Sequence, residues 1–175
     1  MNKIFLDIET GEFVTERKVL SYMNYVLLKE FKKDVEELSG FMVLVNDKVL
    51  LVKPKKFKGM EHKWSIPKGK VEGRKKFKNA LKELTEETGI RLNKFEAQVD
   101  TEKIKIYYKK SGKLKELTTY VIRLNESDLN VDMNHKWEVS KEHIDGKEIY
   151  KAKFFTKEEA LNKIEMGQMP LLKMM

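Results

Sequence analysis

The chain contains no cysteine. That excludes disulfides, thiolate-ligated zinc and thiol catalysis, and it fits a reducing compartment. Arginine is scarce, with four residues in the whole sequence, so cationic character rests almost entirely on lysine. No apolar run approaches the roughly 18 residues of a membrane span. The first ten residues, MNKIFLDIET, lack the apolar core of a secretory signal. A soluble cytoplasmic protein with no membrane partner is therefore expected. The composition also argues against a disordered chain, because 41% of the residues are hydrophobic and nine Phe, six Tyr and two Trp are available for a core. A length of 175 residues suits one domain.

What the sequence has in excess is positive charge, and its placement is uneven. The formal net charge is +8. Between Lys53 and Lys82 twelve Lys or Arg stand against Glu61 and Glu72, a local balance of +10. The whole surplus therefore lies in one segment, which could draw in a polyphosphate or an RNA backbone. A general lysine bias would produce the same run without a partner.

The segment leads into Trp64 to Leu92, WSIPKGKVEGRKKFKNALKELTEETGIRL. Phe77, Ala80, Leu81, Leu84 and Thr88 recur at helical spacing and predict one amphipathic helix with these residues buried. Gly89 follows, where a left-handed cap is expected. Glu83, Glu86 and Glu87 share one turn at i,i+3 and i,i+4 spacing, just off the apolar stripe. Three carboxylates this close repel one another. One reading is a site for a hard divalent cation, which takes oxygen ligands and shares them with substrate phosphates. The other is a solvated acidic face balanced by Lys75, Lys76, Lys78 and Lys82.

This stretch resembles the signature of the Nudix hydrolases, G-x5-E-x7-R-E-U-x-E-E-x-G-U, where U is a bulky aliphatic residue. Glu83, Leu84, Glu86, Glu87, Gly89 and Ile90 fall on signature positions. The first half departs from the pattern. Lys82 stands in the arginine position, and Arg74 replaces the first glutamate. The glycine loop Gly69-Lys70-Val71-Glu72-Gly73 is one residue short. In the family the missing glutamate pairs with the arginine, so here two cations would meet unless Glu72 reaches Lys82. Pro67-Lys68-Gly69-Lys70 is similar to the turn of diadenosine polyphosphate hydrolases and mRNA-decapping enzymes.

The remaining chain reads in order. Met1 to Ile8 is a short strand. Within it Leu6-Asp7-Ile8-Glu9-Thr10 resembles the first metal-binding motif of DEDD-type 3′–5′ exonucleases, a family that needs further aspartates and a larger domain than this chain has room for. Thr15 to Leu38 reads as a helix with Thr15 as N-cap and an apolar stripe of Val19, Tyr22, Met23, Val26, Leu27 and Phe31. That stripe is expected to lie against the domain or a second copy, which makes a homodimer one of the expected partners. Phe41 to Val45 and Val49 to Val52 form a hairpin through Asn46-Asp47-Lys48, and Glu102 to Tyr108 with Leu114 to Leu124 form a second. Asn125 to Lys147 is a long polar loop, a length that often carries function. His135 and His143 in it read as surface histidines. Glu148 to Phe155 is a last strand, and Thr156 with Glu159 caps a closing helix.

The resemblance implies an α+β fold, a Nudix-type α/β/α sandwich with a mixed sheet, over residues 39–175, with residues 1–38 as an N-terminal helical extension. It implies hydrolysis of a pyrophosphate bond in a nucleoside diphosphate linked to another moiety. Mg²⁺ or Mn²⁺ would be held by Glu83, Glu86 and Glu87, with the Gly69 carbonyl as a further ligand. The general base would be Glu86 or a loop glutamate, Glu138, Glu142 or Glu148. Lys68 and Lys70 would neutralise a nucleotide polyphosphate, and Trp64 would stack on a base or be buried in its strand. Two alternatives stay open: an RNA-decapping enzyme that uses the basic 53–82 segment, and a catalytically impaired module that binds nucleotide or RNA, for which Arg74 and the short loop are the motive.

Overall fold

A computed structural model describes residues 4–6, 13–15, 35–55, 63–92, 102–110 and 112–175. The central strand explains the rest. β3, Glu36–Val45, buries Phe41, Val43 and Val45 on one face and Leu38, Met42 and Leu44 on the other. Side chains alternate along a strand, so a run apolar at every position must be covered on both sides.

Three strands share β3. The turn Asn46-Asp47 joins its C-terminal end to β4, Lys48–Pro54, through the pairs Leu44↔Val49 and Val45↔Lys48. Asn46 takes a φ of 55°, a conformation that asparagine tolerates. The other end of the same edge pairs with β5, Lys68–Lys70, through Leu38↔Lys70, Ser39↔Gly69 and Gly40↔Lys68. The opposite edge runs parallel to β7, Lys113–Leu124, from Glu36↔Lys115 to Val45↔Leu124. β7 forms an antiparallel hairpin with β6, Lys103–Lys110, as the sequence predicted. β8, Ile149–Thr156, pairs antiparallel with β4. β1, Ile4–Leu6, runs parallel on β6, and β2, Phe13–Thr15, closes that edge. The order is β2-β1-β6-β7-β3-β4-β8, a mixed sheet among the described residues.

Each face has its own cover. Helix α1, Lys76–Thr88, lays Ala80 and Leu84, both fully buried, on the face of Phe41 and Val43. Its start has no side-chain cap. Its end has the expected one: Gly89 adopts φ 77° and donates its N–H to Thr85 O at 2.8 Å. Val131, Val139 and Ile149 complete that face, and Ile164, Leu171 and Leu172 cover the other.

Two expectations meet a different structure. The predicted helix Thr15 to Leu38 lies mainly outside the described residues, and its ends are strand: Thr15 belongs to β2 and Glu36, Glu37 and Leu38 to β3. The β propensity of the following apolar run and its pairing with β7 extend the strand backwards. The closing helix is shorter than expected. Thr156 and Glu159 do form the capping box, but α2 covers only Lys157–Leu161 and is followed by a 3-10 segment, Met166–Met174. Trp64 engages this tail, donating its N–H to Lys163 O and accepting from Glu165 N–H, while Pro170 has no N–H to continue an α-helix. The short strand expected within Met1 to Ile8 is present as β1, which with β2 extends the same sheet as β6.

Candidate active site

The site forms where β5 meets α1. Register puts Gly69 opposite Ser39, on the face that α1 covers, and the Glu83 carboxylate lies against the Gly69 backbone. A Cβ built at residue 69 would overlap the Glu83 carboxyl carbon and both its oxygens, so the missing side chain is what lets this carboxylate lie against the backbone. One turn later, Glu87 Oε2 accepts the backbone N–H of Lys68 at 3.0 Å. β5 thus meets two of the three signature carboxylates. Glu86 points into solvent.

The fourth carboxylate comes from the far side of the chain. Asp145 donates its N–H to the Glu86 carbonyl at 3.1 Å, which pins the loop before β8 to α1. Lys55 donates its N–H to the Glu148 carbonyl at 2.8 Å, which fixes the start of β8. Between these two anchors the exposed Glu148 carboxylate acts electrostatically on both Glu83 and Glu87. The other two loop glutamates stand elsewhere. Glu138 pairs with Lys151 at 3.0 Å, whose hydrogen bond holds its carboxyl below the usual range. Glu142 lies 3.7 Å from the His143 ring beside Asp132, around the Gly89 cap.

Burial pushes the Glu83 carboxyl above its ordinary range, and the charges of Glu86, Glu148 and Glu72 add to this while Lys82 opposes it. Burial likewise raises Glu87, to about 8, against the Lys68 ammonium and N–H. The Lys68 ammonium is lowered by burial, with Glu165 and Glu87 acting the other way. Carboxylates lifted this way are oxygen donors that Lys68 and Lys82 only partly offset. A hard divalent cation would relieve both the mutual repulsion and the burial cost, so the residues present fit such an ion.

The predicted cations divide. Lys70 is mostly exposed and pairs with Glu36 at 3.2 Å. Lys75, Lys78 and Lys82 are exposed and line a cleft of about 520 Å³ with Glu72, Asn79 and Glu86. Among the described residues no ion pair joins Glu72 to Lys82, although both border this cleft. Arg74 is exposed. Trp64 lies on the sheet face opposite α1, packed edge-on against Phe155 with ring centroids 4.8 Å apart. Asp7 and Glu9 of the exonuclease-like motif lie outside the described residues.

Sequence reasoning left Glu148 as one of three, and it assigned no partner to Glu87. Nothing local distinguishes Glu148 from Glu138 or Glu142; in the fold they take separate surroundings, and the Glu148 charge is the one felt at both Glu83 and Glu87. The N–H of Lys68 carries no side-chain signal at all.

A fold and a carboxylate cluster of this kind define a hydrolase of the Nudix class, and the comparisons agree. The model of the NUDIX domain matches residues 38–174. The chain belongs to that family. No curated protein matches it. Among solved structures it is similar to an Ap4A hydrolase from C. elegans (22% identity over 80% of this chain and 94% of that one, TM-score 0.55). It is also similar to a MutT protein from Methanosarcina mazei Go1 (13%, 81% and 92%, TM-score 0.55). A third likeness is a bifunctional NMN adenylyltransferase/ADP ribose pyrophosphatase from Francisella tularensis, complexed with AMP and a Mn ion (16%, 90% and 47%, TM-score 0.55). At these identities the likeness is one of fold. The described residues hold no helix long and apolar enough to cross a membrane.

Proposed function

We propose that this chain hydrolyses a pyrophosphate bond in a nucleoside diphosphate linked to another moiety, with dinucleoside polyphosphates as the first class to examine. The observation that carries the reading is that two signature carboxylates meet β5, Glu83 against the Gly69 backbone and Glu87 on the Lys68 N–H. The likeness to an Ap4A hydrolase supports the substrate class. Glu83, Glu86 and Glu87, with the Gly69 carbonyl, would hold Mg²⁺ or Mn²⁺. Such an ion, when bound, neutralises phosphate charge and lowers the pKa of water.

The chain's own residues supply the rest. Glu86 or Glu148, both exposed at the rim, accepts the proton of the attacking water. Water oxygen bonds to one phosphorus, and the bridging P–O bond breaks with its electrons on the departing phosphate. Lys70 and the neighbouring lysines offset the polyphosphate charge. The cysteine-free composition makes the cytoplasm the proposed setting.

A second reading, RNA decapping, rests on the +10 segment and on the exposed row Lys75, Lys78 and Lys82. A third, a binding module without turnover, rests on Arg74 and the short glycine loop. Turnover assays with Mg²⁺, Mn²⁺ or EDTA separate them, using dinucleoside polyphosphates, nucleotide sugars, ADP-ribose, nucleoside triphosphates and capped RNA. Metal-dependent cleavage of a small nucleotide is the expected result. Preference for capped RNA would move the assignment to decapping. Folded protein that binds nucleotide but cleaves nothing would leave the binding module.

A further inference from the structure

We propose that Gln168, on the sheet face opposite α1, is a positioning residue for Glu87. The inference rests on the metal-site reading above and adds a device that nothing in the signature contains. Gln168 is fully buried. Its Oε1 accepts the backbone N–H of Ile66 at 3.0 Å, and its Nε2 donates to Glu165 Oε2 at 3.0 Å. The Tyr108 hydroxyl shares a hydrogen bond with the same amide, and a Cβ at Gly167 would enter the Tyr108 ring, so ring and segment are in close contact. The buried amide is therefore engaged at both ends: its oxygen holds the segment before β5, and its nitrogen is anchored within the tail.

That segment is held at four successive residues, Ser65 among them through paired backbone hydrogen bonds with Val52 of β4. Trp64 exchanges backbone hydrogen bonds with the tail, donating to Lys163 O at 3.2 Å and accepting from Glu165 N–H at 2.8 Å. Ile66 is held by Gln168. The Pro67 carbonyl accepts the Phe41 N–H at 3.1 Å, and a Cβ at Gly40 would overlap that same carbonyl and Lys68. One residue beyond, the Lys68 N–H reaches Glu87 Oε2. Pro67 has a fixed φ, so little freedom separates the Ile66 N–H from the Lys68 N–H. Glu165 also acts on the Lys68 ammonium more strongly than any other charge, and it is tied down by Lys110 at 2.5 Å. The C-terminal segment thus sets the backbone donor that orients a metal-binding carboxylate from across the sheet.

Groups that orient metal ligands typically cost about 10- to 100-fold in metal affinity when removed. Gln168→Met keeps the length and removes the acceptor. Mn²⁺ binding is read without turnover, by electron paramagnetic resonance of free Mn²⁺, on wild type, Gln168→Met, Glu87→Gln and Leu171→Ala. Leu171 is fully buried in the same segment but has no polar side-chain link to Ile66, so its variant reports loss of packing alone. The expected result is a loss of about tenfold or more in Mn²⁺ affinity for Gln168→Met, with Leu171→Ala near wild type at a temperature where both are folded. Equal affinity in wild type and Gln168→Met, or equal loss in both segment variants, overturns the proposal. Should Gln168→Met not fold, Tyr108→Phe is measured in its place: weakened Mn²⁺ binding supports the proposal and unchanged binding overturns it. Wild type that binds Mn²⁺ no better than Glu87→Gln would instead sink the metal-site reading.

Discussion

The Glu83 carboxylate fills the space that a side chain on residue 69 would need. Gly69 does not have a positive φ, so alanine suits the backbone there, and the nearest atoms it would meet are those of the Glu83 carboxylate. Gly69→Ala should leave the circular dichroism spectrum intact and cut kcat by roughly 100-fold, the scale of an ångström of misplacement at a reacting centre. A variant with wild-type kcat would show that Glu83 does not work from this position.

Glu87 should make the metal-free protein less stable as pH rises. Its folded pKa is raised to about 8 from an ordinary 4.5, so the native state binds the extra proton through that window. Stability therefore falls between those pH values and is level above them. Glu87→Gln removes this slope. Thermal melts in EDTA should show the variant gaining on wild type as pH climbs from 4.5 to 8, while losing turnover. Parallel melting curves across that range would refute the assignment.

Glu116 predicts the opposite slope at acid pH. Burial works against its ionised form, yet hydrogen bonds from Lys76 at 2.7 Å, Lys105 at 3.0 Å and Tyr107 at 2.8 Å hold it down at about 2. A depressed carboxylate adds stability above its unfolded pKa and loses it as pH falls through the folded one. Glu116→Gln should cost about 1–2 kcal/mol in urea melts at pH 7, and the difference should shrink between pH 4.5 and 2. A cost that stayed constant with pH would mean packing, and not charge, is responsible.

Gly89→Ala meets two obstacles. The residue has φ 77°, and an added Cβ would come within 2.7 Å of the His143 carbonyl oxygen. The left-handed conformation alone costs a non-glycine residue about 1–2 kcal/mol. Displacement of His143 would also carry the loop that leads to Glu148. Chemical denaturation should show at least that loss, together with reduced turnover. Full activity in a destabilised variant would detach the cap from the site.

Lys75, Lys78 and Lys82 separate the small-nucleotide reading from the RNA reading. If they meet an RNA backbone, the triple Gln variant should flatten the log–log salt dependence of RNA binding by roughly two units, at about 0.7 per neutralised phosphate on a single strand. An unchanged slope would remove these lysines from any RNA interface.

Much of this architecture was legible locally. The stripe Ala80-Leu84-Thr88, the cap at Gly89, both hairpins and the Thr156–Glu159 box follow from periods and turn chemistry that act within a few residues. The three signature glutamates belong to the same class, because one helical turn is enough to bring them together. The sequence by itself therefore determined the helix, its acidic turn and the family to which they belong.

Tertiary structure decided the rest. It put the Glu148 charge within reach of Glu83 and Glu87, while Glu138 pairs with Lys151 and Glu142 sits with His143 by the Gly89 cap. It turned Trp64 away from the helix and truncated the closing helix, through hydrogen bonds between positions a hundred residues apart in sequence. It gave Glu87 a backbone donor that no side chain advertises. Local propensity is a property of neighbours along the chain, whereas which carboxylates share a low-dielectric space depends on strand order and register, and these are settled only when both faces of the sheet are covered.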